Sequence, residues 1–388
     1  MIRLQRSVEI KSFNLEATVA TAARRPEYLA VLQLAVDLQR PLDARTVHHE
    51  LFGALPDSVG RIVLDRCVLL GLFDRERPSM PAHVSDAGRA ALMSGDILLA
   101  EEGLWRIFYL DDLLLGRRLV HAQPLHDGAS AEDTRRRVKQ KSKPLRSMST
   151  NVPPLLHEAS KGDTWFSIID NRAFELRELA PRGEEGPTGT LRLHLDSPED
   201  GAMELALRGK LVLGDKHPAQ VDQRLGLPEH IQDLAHDDLW RGLISLASGI
   251  PLEELSLWRE NAELRLLPQY FAGLPEATLR TMRCDLDIPA HQHRLLGPFE
   301  ATRLTGVSVV PRRGTDAQEW AEWLEWDALS TYVVPDVLRA RSAELAARFP
   351  YHRPILRAPE ALLEHAARNP TDRRSRFLLA PADLGLWS

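Results

Sequence analysis

The stretch DSVGRIVLDRCVLLGLFDRERPSMPAHVSDAGRAALMSG, residues 57–95, decides the fold of the amino-terminal part of this 388-residue chain. Apolar residues recur in it at helical spacing and predict one buried helix face: Val59, Ile62, Val63, Cys67 and Leu70. Gly71 follows, at a position where a left-handed residue commonly ends a helix. A short apolar strand ending at Phe73, a polar Pro-containing tip and a return at Val84 predict a two-stranded hairpin. Ser85 then caps a further helix.

Two more helices are predicted before this stretch. Pro26 suits the first turn of a helix, and Asp43 suits the N-cap of a short helix that runs to Leu51. Three helices, a two-stranded hairpin and a closing helix follow the order of a winged helix-turn-helix. The segments Leu69-Leu70-Gly71-Leu72-Phe73 and His83-Val84-Ser85-Asp86-Ala87-Gly88-Arg89-Ala90-Ala91-Leu92 resemble the winged-helix families of bacterial regulators, in which a Gly-Leu pair ends the recognition helix. The resemblance is confined to residues 26–95, about a fifth of the chain, and implies a fold more specifically than a function.

In those families the third helix enters the DNA major groove, and basic residues on it and on the wing contact phosphates. The matching residues here are Arg61 and Arg66 on the helix and Arg75 and Arg77 on the wing. Acidic residues offset them: Asp57, Asp65, Asp74 and Glu76. Because phosphate neutralisation supplies most nonspecific affinity, this surface is a mediocre one for DNA, and docking of a protein remains an alternative role.

A second candidate for nucleic-acid binding is a basic run at residues 135–146. It contains no acidic residue and seven cations: Arg135, Arg136, Arg137, Lys139, Lys141, Lys143 and Arg146. Such a density predicts salt-sensitive binding of phosphates that does not depend on base sequence. The alternative interpretation is a solvated linker whose charge keeps it in water.

Composition excludes several classes. The formal net charge of −6 means that any nucleic-acid binding must come from a local patch. The two cysteines, Cys67 and Cys284, are far apart, so neither a zinc ribbon nor a disulfide framework is expected. The first residues lack the apolar segment of a secretory signal, and no apolar run has the length of a membrane span. We therefore expect a cytoplasmic protein without a membrane partner.

The remainder of the chain predicts an α+β protein, with an N-terminal winged helix, a mixed β-rich body and C-terminal helices. Alternating leucines around Ser197-Pro198-Glu199-Asp200-Gly201 predict a hairpin. Pro335 and Pro359 are expected to begin helices, and Asn369 to end the second. Four regions are predicted: a winged-helix domain with a strand extension at 1–122, a basic linker at 123–154, a β-rich domain at 155–314 and a helical region at 315–388.

One pair of carboxylates suggests an enzyme. Asp285 and Asp287 alternate along a predicted strand, so both would lie on one face and could hold Mg²⁺, and His291 and His293 follow. The alternative is an exposed strand end. Two runs of three residues, His48-His49-Glu50 and His236-Asp237-Asp238, fall on predicted helices. Because the side chains of adjacent helical residues point in different directions, both runs are interpreted as exposed helix faces. The chain has no phosphate-binding glycine loop and no Gly-x-Ser-x-Gly elbow. No catalytic residue, metal ligand or cofactor is assigned.

These observations favour a DNA-associated accessory or assembly subunit, of the kind found in bacterial DNA-processing or anti-phage defence systems. Its expected partners are double-stranded DNA, bound through the winged helix and the basic run, and other protein subunits, docked on the body. Two alternatives remain open at this point. One is a metal-dependent nuclease or other phosphoryl-transfer enzyme centred on Asp285 and Asp287, and the other is a protein-interaction scaffold.

Overall fold

The computed structural model describes residues 1–125, 150–199, 201–213, 218–258 and 266–387. Helices and strands are mixed along the chain, and the last seventy residues are helical. The predicted α+β class, with helices at the carboxyl end, is therefore confirmed. Two of the predicted regions, 1–122 and 155–314, share one large sheet, since strands from both sides of residues 123–154 pair within it.

The first element is a 22-residue strand, β1 (Ile2–Ala23). No element predicted from the sequence covers these residues. In the first half of the strand polar and apolar residues alternate as in a half-buried strand, with Ile2, Leu4, Val8 and Ile10 in the core. β4 (Ile97–Asp112) pairs antiparallel with the second half of β1.

A helical module connects these two strands. Its two ends meet where Ala23 of β1 pairs with Ile97 of β4, the last pair of their ladder. The module is thus mounted at the tip of a long β-hairpin. Its elements are α1 (Pro26–Leu38), α2 (Ala44–Leu51), α3 (Ser58–Leu69), β2 (Phe73–Asp74), β3 (His83–Val84) and α4 (Asp86–Ser94).

The capping predictions for the module are mostly confirmed. Asp43 accepts the Thr46 N–H at 2.7 Å, and Ser85 accepts the Gly88 N–H at 3.0 Å. Gly71 has φ 73° and follows the end of α3, as its left-handed position requires. An aspartate directly before a helix predicts an N-cap, as Asp57 does for α3, but Asp57 has helical backbone angles and its side chain makes no capping hydrogen bond. That expectation was wrong, because an N-cap side chain must come from an extended residue to reach the free N–H groups.

A small three-stranded arrangement completes the module. β2 and β3 pair antiparallel, and Leu42, between α1 and α2, bridges Ala82 next to β3. Two backbone hydrogen bonds fix this bridge, Leu42 N–H to Ala82 O at 2.9 Å and Ala82 N–H to Leu42 O at 2.7 Å. The four helices and this sheet enclose a core of their own: Val31, Leu32, Ala35, Leu42, Val47, Leu64, Cys67, Leu72, Phe73, Ala82, Ala91 and Ile97.

The large sheet has β1 at its centre. Its first half pairs with β9 and its second half with β8 on the same edge, so one strand joins two stretches of sheet. The order is β11-β10-β9-β1-β4-β5, and β8 carries the short β6 and β7. The bounds are β5 (Gly116–Pro124), β6 (Thr150–Asn151), β7 (Thr164–Phe166), β8 (Ala173–Glu185), β9 (Gly189–Ser197), β10 (Glu204–Leu211) and β11 (Ala219–Leu225).

Beyond β7 the chain returns to β5, where the Ile168 N–H donates to Val120 O at 2.8 Å. The short α5 (Pro154–Ala159) buries Leu156 and Ala159 against the second half of β1. The hairpin predicted around residues 197–201 is confirmed by the antiparallel pairing of β9 with β10.

A second sheet packs against the first half of β1. Its order is β12-β16-β13, with β12 and β16 parallel, and a separate hairpin joins β14 to β15. Their bounds are β12 (Leu266–Gln269), β13 (Arg283–Ile288), β14 (His291–His293), β15 (Gly297–Phe299) and β16 (Thr302–Pro311). α6 (His236–Ser248), α7 (Leu252–Ser256) and α8 (Glu276–Thr281) accompany this sheet. The proline at 228 predicts one helix that runs to Ser248, but a 3-10 turn at Glu229–Ile231 precedes α6, which begins at His236.

Four helices end the chain: α9 (Gly314–Asp327), α10 (Pro335–Ala346), α11 (Pro359–Arg368) and α12 (Ser375–Asp383). The predicted starts at Pro335 and Pro359 and the end at Asn369 are confirmed. Trp320 of α9 is fully buried, and its indole N–H donates to Leu279 O at 2.9 Å. This hydrogen bond ties the helical region to the second sheet.

Candidate functional surface of the helical module

The outward face of α3 is the surface that the sequence singles out. Leu64 and Cys67 point into the module core, so residues two positions away, on the opposite side of the helix, are left in solvent. Arg61 and Arg66 are exposed, as expected. The placement of Ile62 on the buried face was wrong, because Leu64 and Cys67 set that face and leave Ile62 63% exposed. Leu69, on the same side of the helix as Ile62, is 73% exposed. The face is therefore mixed, with charged and apolar groups side by side.

The hairpin between β2 and β3 contributes the second half of this surface. Residues 76–81 at its tip are exposed, Arg77 among them. Arg75 behaves differently, because its guanidinium donates to Asp65 of α3 at 2.7 Å and the side chain is only 11% exposed. A guanidinium held by a carboxylate carries little net charge toward a ligand. Arg75 thus fixes the hairpin against α3 and is a poor candidate for a phosphate contact.

We call the exposed residues Arg61, Ile62, Arg66, Leu69 and Arg77 the module surface. Among the residues that the structure describes, its three arginines make no ion pair. Nearby acids moderate the potential, since Asp57, Asp74 and Glu76 are exposed too. The seven cations predicted to bind nucleic acid at 135–146, namely Arg135, Arg136, Arg137, Lys139, Lys141, Lys143 and Arg146, lie outside the described residues.

The carboxylate pair lies on β13, and its geometry does not form a metal centre. Asp285 accepts the Gly306 N–H at 2.9 Å and the Arg303 guanidinium at 3.1 Å, and Asp287 lies 3.8 Å from the same guanidinium. The Gly306 N–H, followed by Arg303, lowers the pKa of Asp285. Arg303 thus occupies the space between the carboxylates. Across the described ranges, no group of three His, Cys, Asp or Glu side chains is placed to hold a metal ion.

The histidines near this pair serve the chain itself. His291 Nδ1 lies 3.1 Å from Pro289 O, and His293 Nδ1 accepts the N–H groups of Leu295 and Leu296 at 3.3 Å each. Both sets of contacts close the turns at β14. The pair on α2 is equally local, because His48 Nε2 contacts Leu55 O at 2.8 Å and His49 faces solvent beside Glu50.

Two buried Ser–His contacts were missed by the sequence analysis. His121 Nδ1 lies 2.9 Å from Ser167 Oγ, and His236 Nδ1 lies 2.7 Å from Ser197 Oγ. Both serines are at most 4% exposed. Burial lowers the pKa of His121 to about 4. A substrate carbonyl has no access to hydroxyls at this depth, so these contacts hold elements together. No spacing in the sequence relates the partners, which are 46 and 39 residues apart.

A buried ion pair was also missed. Arg6 of β1 donates to Asp112 at the end of β4 at 2.7 Å, and both side chains are below 10% exposed. Asp112 Oδ1 also accepts the N–H groups of Leu114 and Leu115. The Arg6 guanidinium lies 5.8 Å from the centre of the Phe299 ring. This contact fixes the two strands that carry the helical module.

Comparisons of the chain with protein families, with curated proteins and with solved structures gave no match. None of the described helices has both the length and the apolar character needed to cross a bilayer.

Proposed function

We propose that residues 26–95 form a winged helix-turn-helix module. The observation that carries this proposal is the bridge between Leu42 and Ala82, which adds the segment between α1 and α2 to the β2–β3 hairpin. The chain order is then helix, strand, helix, helix, strand, wing, strand and helix. In that arrangement α3 takes the place of the recognition helix and residues 75–82 take the place of the wing.

On this basis the chain acts as a DNA-associated accessory or assembly subunit. Three arginines of the module surface, Arg61, Arg66 and Arg77, are exposed and free of ion pairs within the described residues. The sequence supplies seven more cations at 135–146, in the connection between β5 and β6. The activity proposed for these cations is binding of the phosphates of duplex DNA.

The test is a salt titration of duplex binding. The logarithm of the affinity is expected to fall with the logarithm of salt concentration by about 0.9 for each phosphate neutralised. Replacing Arg61, Arg66 and Arg77 by Ala should then lower the slope by up to about 3, and replacing the seven cations of residues 135–146 should lower it by up to about 6.

The matched control replaces three exposed arginines outside the module, Arg341, Arg353 and Arg376, by Ala. It changes net charge by the same amount and should leave the slope within experimental error. If the module and control variants bind DNA with equal affinity and equal slope, the module does not contact DNA. If neither the wild type nor any variant binds duplex DNA, the whole DNA proposal is rejected.

A second candidate function, docking of a protein subunit on the same module, is favoured by Ile62 and Leu69. Large exposed apolar side chains on one helix face are typical of the centre of a protein interface. The ion pair between Arg75 and Asp65 favours it as well, because it reduces the charge that DNA would meet.

The two functions are separated by complementary variants. I62S/L69S should abolish retention of a subunit that co-purifies with the full chain, and should weaken DNA binding by less than about threefold. The Arg61, Arg66 and Arg77 variant should do the reverse. Loss of both activities in both variants would indicate a damaged fold, which circular dichroism would reveal.

A further inference from the structure

β11 forms one end of the large sheet, and its pairing with the rest of that sheet is regular along the whole strand. Within the described residues it pairs with β10 alone, over seven consecutive rows from Leu205–Leu225 to Leu211–Ala219 without a register shift. It contains no proline, and its length matches an average strand. Proteins normally protect a sheet edge with a bulge, a proline, charged side chains or a covering segment. Of these, β11 has the exposed charges of Asp222 and Arg224, and Pro218 directly precedes it.

The two faces of β11 differ sharply. Val221 is buried and Leu225 half-buried on the face that continues the hydrophobic core. Asp222 and Arg224 alternate with them and are exposed on the opposite face, at 70% and 77% of their side chains. Each already contacts an opposite charge of β10: Arg208 lies 3.1 Å from Asp222, and Glu204 lies 3.4 Å from Arg224.

We propose that β11 pairs antiparallel with β11 of a second copy of this chain, about a two-fold axis at Gln223. In this register Asp222 lies opposite Arg224 of the second copy, and the same pair recurs on the other side of the axis. Val221 meets Leu225 of the second copy on the inner face, so the apolar surface continues from one sheet into the other. Charges then alternate in sign across four strands, from Arg208 through Asp222 to Arg224 and Glu204 of the second copy.

Neighbouring registers are disfavoured by the same side chains. An axis at Asp222 or at Arg224 places like charges directly opposite each other, which destabilises a strand pair. A shift by half a row, with the axis between Asp222 and Gln223, sets Val221 opposite Arg224 and mixes the two faces. The charge pattern therefore selects one register and favours a second copy as the occupant of this edge. The side-chain amide of Gln223 donates to Arg224 O at 3.1 Å and to Asn171 Oδ1, in the turn between β7 and β8, at 3.5 Å. In the proposed dimer Gln223 lies opposite its own copy at the axis.

The first test is a charge exchange, read out as molar mass by sedimentation equilibrium on the full chain. The wild type should approach twice 43.6 kDa as its concentration rises. D222R and R224D should each raise the dissociation constant at least tenfold, because each places two like pairs across the axis. The variant E204R/R208D/D222R/R224D, which also reverses the β10 partners so that every pair within the chain stays opposite in charge, should restore dimerisation to within about threefold of the wild type. R177D, an equivalent reversal on β8, is the control and should leave the dissociation constant unchanged.

A second test is independent of these charges. Residues facing each other across an antiparallel pair have Cα atoms about 4.5–5.5 Å apart, within the range that a disulfide spans. Q223C should therefore form an intermolecular disulfide under mild oxidation, whereas Q220C, on the same strand but opposite residue 226 of the second copy, should not. A wild type that stays monomeric at all concentrations overturns the proposal. So does a dimer that neither single charge reversal weakens, or one in which Q220C cross-links as readily as Q223C.

Discussion

The buried ion pair of Arg6 with Asp112 gives the sharpest prediction about what holds the molecule together. The change is Asp112→Asn. It removes the negative charge but keeps an oxygen that can accept the N–H groups of Leu114 and Leu115, at 2.9 Å and 3.0 Å from Asp112 Oδ1. The Arg6 guanidinium is then left charged, 7% exposed and without its carboxylate.

The magnitude follows from that burial. Removing one partner of a buried ion pair costs about 3–5 kcal/mol, because the remaining charge has lost both its water and its counter-charge. We expect D112N to fall in that range. Replacing both partners, as in R6M/D112N, removes the uncompensated charge. The double variant should therefore be more stable than D112N by about 2 kcal/mol or more, in spite of carrying an additional substitution.

Urea unfolding followed by tryptophan fluorescence provides the measurement, with the slope m compared between variants to detect changes in cooperativity. The exposed pair of Glu364 with Arg368 is the control, with side chains 70% and 75% exposed. E364Q should cost less than about 0.5 kcal/mol. A loss of less than about 1 kcal/mol of unfolding free energy in D112N would contradict this prediction. So would a double variant whose loss equals the sum of the losses in R6M and in D112N.

Three further predictions concern buried groups elsewhere. Burial lowers the pKa of His121 from 6.5 to about 4, so as pH falls the unfolded state binds the proton before the folded state does. About 3 kcal/mol of the free energy of unfolding should therefore be lost between pH 6.5 and pH 4. In H121N the free energy of unfolding should change less with pH over that range. Burial raises the pKa of Glu325, so the stability that its protonated form contributes is lost as pH rises through that pKa. Gln stays neutral at every pH. E325Q should therefore have a higher melting temperature than the wild type at pH 8, and the two melting temperatures should differ less at pH 4. G88A should destabilise the module by about 1–3 kcal/mol, because the added Cβ would lie 2.2 Å from Leu72 O. G242A in α6 is the control: its Cβ would have nothing within 4 Å, and it should stabilise the protein by up to about 1 kcal/mol. Equal changes in melting temperature in the two variants would contradict this prediction.

The local chemistry of the helical module could be predicted from the sequence because its signals act over a few residues. Asp43 and Ser85 reach N–H groups three residues ahead, and Gly71 and Gly95 adopt left-handed angles immediately after their helices. The prolines that begin α10 and α11 act at once on their own helix. The incorrect prediction of an N-cap at Asp57 is also a local matter. The backbone of Asp57 is helical, so its side chain does not reach the free N–H groups of the first turn of α3.

The candidate site was predicted only in part. Arg61, Arg66 and Arg77 are exposed as expected, since their positions follow from the apolar face of α3 and from the hairpin. The partner of Arg75 lies ten residues away on another element, so its neutralisation depends on how the hairpin packs against α3. Likewise Arg303 closes the space between Asp285 and Asp287 from the adjacent strand, which a strand's own alternation cannot reveal.

The sequence by itself determined the order of elements in residues 26–95, the hairpin of β9 with β10 and the helical carboxyl end, because periodicity, caps and turns are encoded by near neighbours. Tertiary structure alone decided that β1 joins two stretches of sheet, that the helical module sits between β1 and β4, and that Arg6 finds Asp112. The physical reason is distance along the chain. Strand pairing and buried ion pairs are selected by the burial of shared apolar surface among residues about a hundred positions apart, and no local pattern of side chains records that choice.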